Sequence, residues 1–176
     1  NLLTGVYQPT EGAFYLCGEK MNGKKTHQVV AAGIARTFQN IRLFKKMSVL
    51  ENVKVAMNKN MKYSMLSAIF RMEHYWSEEA ETDEHALDLL KIVHLEDKAA
   101  YIAENLPYGE QRRLEITRAL ATGMKLLLLD EPAAGMNPTE TAELLDIINN
   151  IRDQFGISVL LIEHDMSLVM KICERI

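Results

Sequence analysis

The chain has 176 residues, a formal net charge of −4 and two cysteines. This length suits about one domain, the acidic balance disfavours nucleic acid as a partner, and Cys17 and Cys173 lie too far apart in sequence to form a metal-ligand cluster. No apolar run approaches the roughly 20 residues that cross a bilayer, so we expect a cytosolic globular protein with reduced thiols.

The first motif in chain order lies at residues 18–24, which fit the phosphate-binding pattern G-x-x-x-x-G-K. A strand-like run, residues 13–17, precedes it. The next residue is Lys25, where magnesium coordination requires a hydroxyl, and Thr26 comes one place late. The match is therefore poor, although a phosphate site here stays open as an alternative.

Residues 48–105 contain no glycine or proline, which favours helices in this part of the chain. Apolar residues recur there at helical spacing in three sets. They are Leu50, Val53, Val55 and Met57; Met61, Met65, Leu66, Ile69, Phe70 and Met72; and Ala86, Leu87, Leu89, Leu90, Ile92 and Val93. We expect core packing for the methionine-rich second set, with an adaptable partner groove as the alternative. The acidic run at residues 78–84 is expected to be a solvated helix face.

The segment from Leu106 to Leu120 predicts a helix that opens at a tight turn around Gly109. The free amides and the positive dipole end of its first turn would suit a phosphate group.

Four leucines at residues 126–129 predict a strand buried on both faces, as in a parallel sheet. Asp130 and Glu131 follow it directly. Ligands of open α/β sheets bind at the carboxyl ends of the strands. One carboxylate could hold Mg²⁺ against a nucleotide, and the other could orient or deprotonate a water. The alternative is an ordinary strand that runs into an acidic turn.

A second strand–helix pattern completes a βαβ unit. Asn137 is predicted as the N-cap of a helix, with Pro138 at its first position, Glu140 completing a capping box and Gly156 ending it. Its apolar face is predicted to comprise Leu144, Leu145, Ile147, Ile148 and Ile151. A second buried strand at residues 159–162 would then deliver His164 to the sheet edge that carries Asp130.

Four motifs in this order resemble those of the ATP-binding subunits of ABC transporters. Residues 33–39 are similar to the Q-loop, residues 108–113 to the signature motif, Asp130 and Glu131 to the end of the Walker B strand, and His164 to the switch histidine. Residues 35–44, 108–116, 130–138 and 161–166 resemble more closely the LivG-type ATPases of branched-chain amino acid importers.

This resemblance implies an α/β fold: a P-loop NTPase core with a parallel sheet, an N-terminal antiparallel β piece and an inserted all-helical subdomain. Residues 1–38 and 121–176 would form the core, and residues 39–120 the helical subdomain. Residues 18–24 would then be a turn of the β piece, where glycine and asparagine suit the backbone conformation.

The resemblance also implies a role for each site residue. Asp130 would bind Mg²⁺ through water, Glu131 would polarise the attacking water, and Gln39 would contact Mg²⁺ or that water. His164 would contact the γ-phosphate of ATP. The signature residues would close over ATP held by a second ATPase subunit, with the D-loop, residues 133–137, at the dimer interface. These cofactor-binding residues are Tyr108, Gly109, Glu110, Gln111 and Asn137.

The sequence departs from the family pattern in two ways. Pro107 stands where the family usually has serine, and Glu110 stands where it has glutamine, so both could weaken closure over ATP. The glycine-rich loop G-x-x-x-x-G-K-[ST] that normally precedes residues 1–5 is not in the sequence, and those residues resemble the helix that follows it. We therefore expect a fragment or a truncated gene model, which also lacks the C-terminal tail and is inactive by itself.

The implied function is ATP hydrolysis that powers import, with ATP and Mg²⁺ as cofactors. The implied partners are a second ABC ATPase subunit in a homo- or heterodimer, transmembrane permease subunits and, indirectly, a substrate-binding protein; the location is the inner face of the cell membrane. The sequence leaves open an ATPase of another transport system, such as lipopolysaccharide export, and a nucleotide-incompetent remnant that acts by protein contact.

Overall fold

The computed structural model describes residues 1–57 and 73–176 and, of residues 73–78, the backbone alone. The methionine-rich set at residues 61–72 lies outside the described residues. Residues 2–5, which resemble the start of a helix in the family, form a turn here.

An antiparallel hairpin of β1 (Tyr15–Leu16) and β2 (Glu19–Lys20) begins the regular structure. Cys17 and Gly18, the two residues between the strands, both have positive φ. This is the geometry of a two-residue hairpin turn, which favours glycine. The G-x-x-x-x-G-K match thus begins in this turn at Gly18, continues through β2 and contains a second turn at residues 22–23, so its expected place in the antiparallel β piece is confirmed.

A parallel sheet forms the centre of the molecule. Its strands β3 (Ile34–Arg36), β4 (Leu126–Asp130) and β5 (Ser158–Ile162) are arranged in the order β3–β4–β5. Leu126 lies opposite Ile34 on one side and Ser158 on the other. The predicted parallel pairing of the last two strands is therefore confirmed.

The leucine run of β4 is buried on both faces of the sheet, as predicted. Leu127 and Leu129 join the larger hydrophobic core, which the helices dominate. Leu128, which points the opposite way, packs in a smaller cluster with Val29 and Ile34. A central strand covered on both sides needs apolar residues at successive positions, which explains the uninterrupted leucines.

The prediction that the second strand is equally buried is wrong. Leu160 is 44% exposed and Ile162 is 53% exposed. Within the described residues β5 is hydrogen-bonded to β4 alone and lies at the edge of the sheet there. An apolar sequence by itself does not show how many strands flank it.

The helices surround the sheet. They are α1 (Thr26–Ala32), α2 (Val49–Met57), α3 (Glu73–Ile92), α4 (Tyr108–Ala121), α5 (Pro138–Phe155) and α6 (Met166–Ile172), with short 3₁₀ turns at Glu96–Lys98 and Ala103–Asn105. In the middle of the chain the predicted helical character is confirmed for α2 and α3, whereas residues 93–105 contain turns, a bend and the two 3₁₀ segments. In the described residues, no helix combines the length and apolarity needed to cross a membrane.

The predicted ends and apolar face of α5 are confirmed. The Asn137 side chain accepts a hydrogen bond from the Glu140 amide at 2.9 Å, and the Glu140 carboxylate accepts one from the Asn137 amide at 3.0 Å. Gly156 ends the helix in the left-handed conformation. The five residues of the predicted apolar face are all buried. They pack α5 against the core and so fix the loop between Asp130 and Asn137 at the sheet edge.

Candidate functional site

Three side chains meet at the carboxyl edge of the sheet. Gln39 follows β3, Glu131 follows β4 and His164 follows β5. Gln39 Nε2 donates to Glu131 Oε2 at 3.1 Å, and His164 Nε2 lies 3.0 Å from Glu131 Oε1. Each oxygen of the Glu131 carboxylate therefore has one side-chain partner, and the predicted shared edge is confirmed.

The backbone at Glu131 is in the left-handed region, with φ of +46°. For a residue other than glycine this conformation costs about 1–3 kcal/mol, and such strain clusters at functional sites. The Glu131 amide donates to the Ile162 carbonyl at 2.9 Å. This bond extends the ladder between β4 and β5 by one residue and turns the carboxylate towards Gln39 and His164.

Asp130 has a different partner, which sequence analysis did not identify. Its Oδ2 accepts from the Arg36 guanidinium at 2.6 Å. Arg36 ends β3 and lies opposite Leu128 of β4. Asp130 is two residues further along β4 and so points to the same face, where the long arginine side chain reaches it. An arginine inside the Q-loop-like segment, residues 33–39, was the available signal, but the sequence shows nothing that pairs it with residue 130.

The cleft beside these residues has a volume of about 660 Å³ and is lined by Glu131, His164 and residues of α5 and α6. Asp165 caps α6 at one side of it, where Oδ1 accepts from the Ser167 hydroxyl at 2.7 Å and from the Ser167 amide at 2.8 Å. These bonds, the hydroxyl first, lower the pKa of Asp165 below its ordinary value of 3.8. The residue after His164 is thereby held as a carboxylate that orders the start of α6.

The signature-like residues form the first turn of α4. Pro107 occupies the N-cap position and makes no side-chain capping bond. The Gln111 amide donates to the Pro107 carbonyl at 3.0 Å, and the Gln111 side chain donates to the Leu106 carbonyl at 2.8 Å. The turn is thus well formed although it has no capping hydroxyl.

Glu110, the second departure from the family pattern, is paired within its own subunit. Its Oε1 accepts from the Lys98 ammonium at 2.6 Å and lies 3.9 Å from the Arg113 guanidinium. Its side chain is 15% exposed. Two cations therefore offset the negative charge that the sequence places in this turn.

The D-loop lies against the start of α4. A Cβ placed on Gly135 would lie 3.7 Å from the Tyr108 ring, and one placed on Gly109 would lie 3.3 Å from the Glu140 carboxyl group. Asn137 is held by its capping box with Glu140. The structure thus brings Tyr108, Gly109 and Asn137 together at a second place, separate from the Gln39–Glu131–His164 contacts.

Sequence analysis also missed a buried ion pair on α4. Arg112 and Glu115, which are 0% and 6% exposed, join through a 2.6 Å contact. Opposite charges three residues apart on a helix are a signal for pairing. On sequence alone such a pair is normally assigned to a solvated face.

Comparison with known proteins agrees with this arrangement. The model of the family described as ABC transporter matches residues 1–134, which is more than half of the chain. The chain belongs to the ABC transporter ATP-binding family. Members of this family bind ATP, and their cassettes dimerise and work with transmembrane permease components at the membrane.

Individual relatives of this ABC ATPase chain cover all of it. The high-affinity branched-chain amino acid transport ATP-binding protein BraF of Pseudomonas aeruginosa is 45% identical over 176 residues, which are 69% of its own length. The high-affinity branched-chain amino acid transport ATP-binding protein LivG of Escherichia coli K12 is 42% identical over 176 residues, which are also 69% of its own length. The chain also resembles the crystal structure of the ADP conformation of an ATP-binding cassette of an ABC transporter, with a TM-score of 0.80 and 29% sequence identity. The match covers 99% of this chain and 67% of the cassette.

Proposed function

We propose that this chain is part of the ATP-hydrolysing subunit that powers an ABC importer of branched-chain amino acids. The transport substrate rests on the BraF and LivG relatives, whose names state it. The ATPase assignment rests most directly on Glu131, whose two carboxylate oxygens contact Gln39 and His164 at 3.1 and 3.0 Å.

Glu131 is the general base of this proposal. Its carboxylate accepts a proton from the water that attacks the γ-phosphate of ATP. The contact with Gln39 orients one oxygen, and the contact with His164 orients the other. His164, whose side chain is 85% exposed, also has room to reach the transferred phosphoryl group.

Asp130 and Gln39 are the proposed residues for Mg²⁺. No group of three or more His, Cys, Asp or Glu is placed to hold a metal in residues 1–57 and 73–176. One carboxylate, Asp130, and one amide, Gln39, nevertheless fit Mg²⁺. This ion usually takes one or two carboxylates and completes its shell with waters and substrate phosphates. When bound, the ion neutralises charge on the phosphate oxygens. Asp130 would hold it from the end of β4, where Arg36 fixes the carboxylate.

The second group of residues serves the partner subunit in this proposal. Gly109 and its neighbours Tyr108, Glu110 and Gln111 close over ATP held by that subunit, and Asn137 with the D-loop lies at the interface. Within the described residues, those between 39 and 120 would belong to the helical subdomain that faces the permease, and residues 1–38 and 121–176 would belong to the core. The complex would sit on the inner face of the membrane and receive substrate from a binding protein.

The proposal is tested with Glu131→Gln in the complete subunit, assembled with its partner ATPase and permease in proteoliposomes. Glutamine keeps the shape but cannot accept the proton, so steady-state hydrolysis and leucine uptake should both fall about a hundredfold or more. ATP binding should change less than about twofold. Glu143→Gln, a helix carboxylate that is 56% exposed, is the matched control and should behave like the parent. If Glu131→Gln hydrolyses ATP at close to the parent's rate, Glu131 is not the general base. If the parent complex hydrolyses ATP but takes up no leucine, branched-chain amino acids are excluded as its transport substrate.

A further inference from the structure

The Arg112–Glu115 pair bonds to a segment far away in sequence. Arg112 donates to the Phe38 carbonyl at 2.7 Å through one guanidinium nitrogen and to the Gln39 carbonyl at 2.8 Å through another. Glu115 Oε1 accepts from the Arg42 amide at 3.2 Å and from the Phe38 amide at 3.5 Å. The cation thus holds carbonyls and the anion holds amides of the same loop.

Burial makes this arrangement costly. Moving two charges out of water is repaid only when geometry is excellent and the remaining donors and acceptors are bonded, so a buried ion pair is a weak source of stability. Here Arg112 and Glu115 form these bonds with the backbone of residues 38–42, which includes Gln39. Their fork geometry is specific to arginine, because lysine offers a single ammonium group and cannot span two successive carbonyls in the same way.

We propose that Arg112 and Glu115 are positioning residues that fix the Q-loop to α4, so that the Gln39 side chain stays on Glu131. The inference rests on the proposed ATPase function and extends it to residues that do not touch the reacting atoms. The Gln39 backbone is held from α4, and its carboxamide contacts Glu131 at 3.1 Å. The general base is therefore connected to α4 through a single residue.

This connection gives α4 two roles at once. Its first turn carries the signature residues, and Arg112, one turn later, holds the Q-loop and lies 3.4 Å from the Tyr108 hydroxyl. A displacement of α4 that follows closure over the partner's ATP would move the Gln39 carbonyl with it. Arg112 thereby couples the state of one nucleotide site to the orientation of Glu131 in the other.

The test is a double-mutant comparison in the complete complex with partner ATPase and permease. Arg112→Lys should lower kcat for ATP hydrolysis about tenfold and change KM for ATP less than about twofold, because binding contacts to ATP are untouched. In a Gln39→Ala background, where no side chain is left to position, the same substitution should lower kcat less than about twofold. A general loss of stability would act equally in both backgrounds.

The control is Arg152→Lys on α5, whose guanidinium bonds Asp153 and Glu174 instead of the Q-loop; it should keep kcat within about twofold of the parent. If Arg112→Lys does not assemble, Glu115→Gln replaces it in the same comparison. An equal loss of kcat in both backgrounds, a rise in KM alone, or no loss in the parent background would overturn the positioning role. A parent complex that does not hydrolyse ATP would overturn the proposed function itself, and the inference with it.

Discussion

Pro107 occupies the N-cap position of α4 and offers neither a hydroxyl nor an N–H. Its φ of −54° and ψ of 154° lie close to the polyproline II region, which serine also adopts, so serine fits there with little change of backbone. We predict that Pro107→Ser strengthens ATP-dependent association with the partner ATPase subunit and raises turnover. The reason is a new hydroxyl at the start of the helix that closes over the partner's ATP.

The effect on folding and the effect on association differ in size. A serine N-cap stabilises by about 1 kcal/mol, while loss of the proline ring costs about 0.4–1 kcal/mol through the unfolded chain, so the free energy of unfolding should change little. A hydrogen bond to a charged phosphate contributes about 1.5–3 kcal/mol. Association should therefore tighten roughly tenfold or more.

The assay is sedimentation of the complete subunit with its partner over a range of ATP concentrations, together with hydrolysis in the complex that contains the permease. Pro107→Ala is the matched control, because it removes the ring and supplies no hydroxyl. If serine and alanine give the same association and turnover, the hydroxyl is not limiting. Since Lys98 and Arg113 already offset the charge of Glu110, Glu110→Gln should then change association less than about twofold.

Three further predictions concern the chain itself. Leu127→Ala should lower the free energy of unfolding by about 2–5 kcal/mol in urea denaturation, because Leu127 is 0% exposed; Leu160→Ala on the exposed edge strand should cost clearly less, and equal losses would contradict the assigned burial. Because the pKa of Asp165 is lowered, its cap stabilises α6 above pH 3.8, and this stabilisation is lost as pH falls through the lower pKa of the folded state. Asp165→Asn should therefore flatten the dependence of the free energy of unfolding on pH below about pH 4. An unchanged pH dependence would refute the cap. The 176-residue polypeptide should show no micromolar affinity for Mg-ATP in calorimetry, since residues 18–24 form a hairpin turn and strand; if it binds, a Lys24→Ala variant will show whether that segment is responsible.

Local chemistry let the sequence determine several features by itself. Uninterrupted leucines are stable only where both faces of a strand are covered, so β4 was identifiable, and the carboxylates after it had to emerge at the carboxyl edge of the sheet. The capping box of Asn137 and the stop at Gly156 depend only on neighbouring residues. The order of the four motifs was sufficient to recognise the family.

Tertiary structure decided the features that depend on distant partners. The pairing of Arg36 with Asp130 spans 94 residues, and the contact of Arg112 with Phe38 spans 74. A buried charged side chain is stable only if the folded backbone brings hydrogen-bond partners to it. The sequence around Arg112 does not show where those carbonyls will lie. The exposure of Leu160 likewise depends on how many strands flank β5, because the same apolar sequence suits a central strand and an edge strand alike.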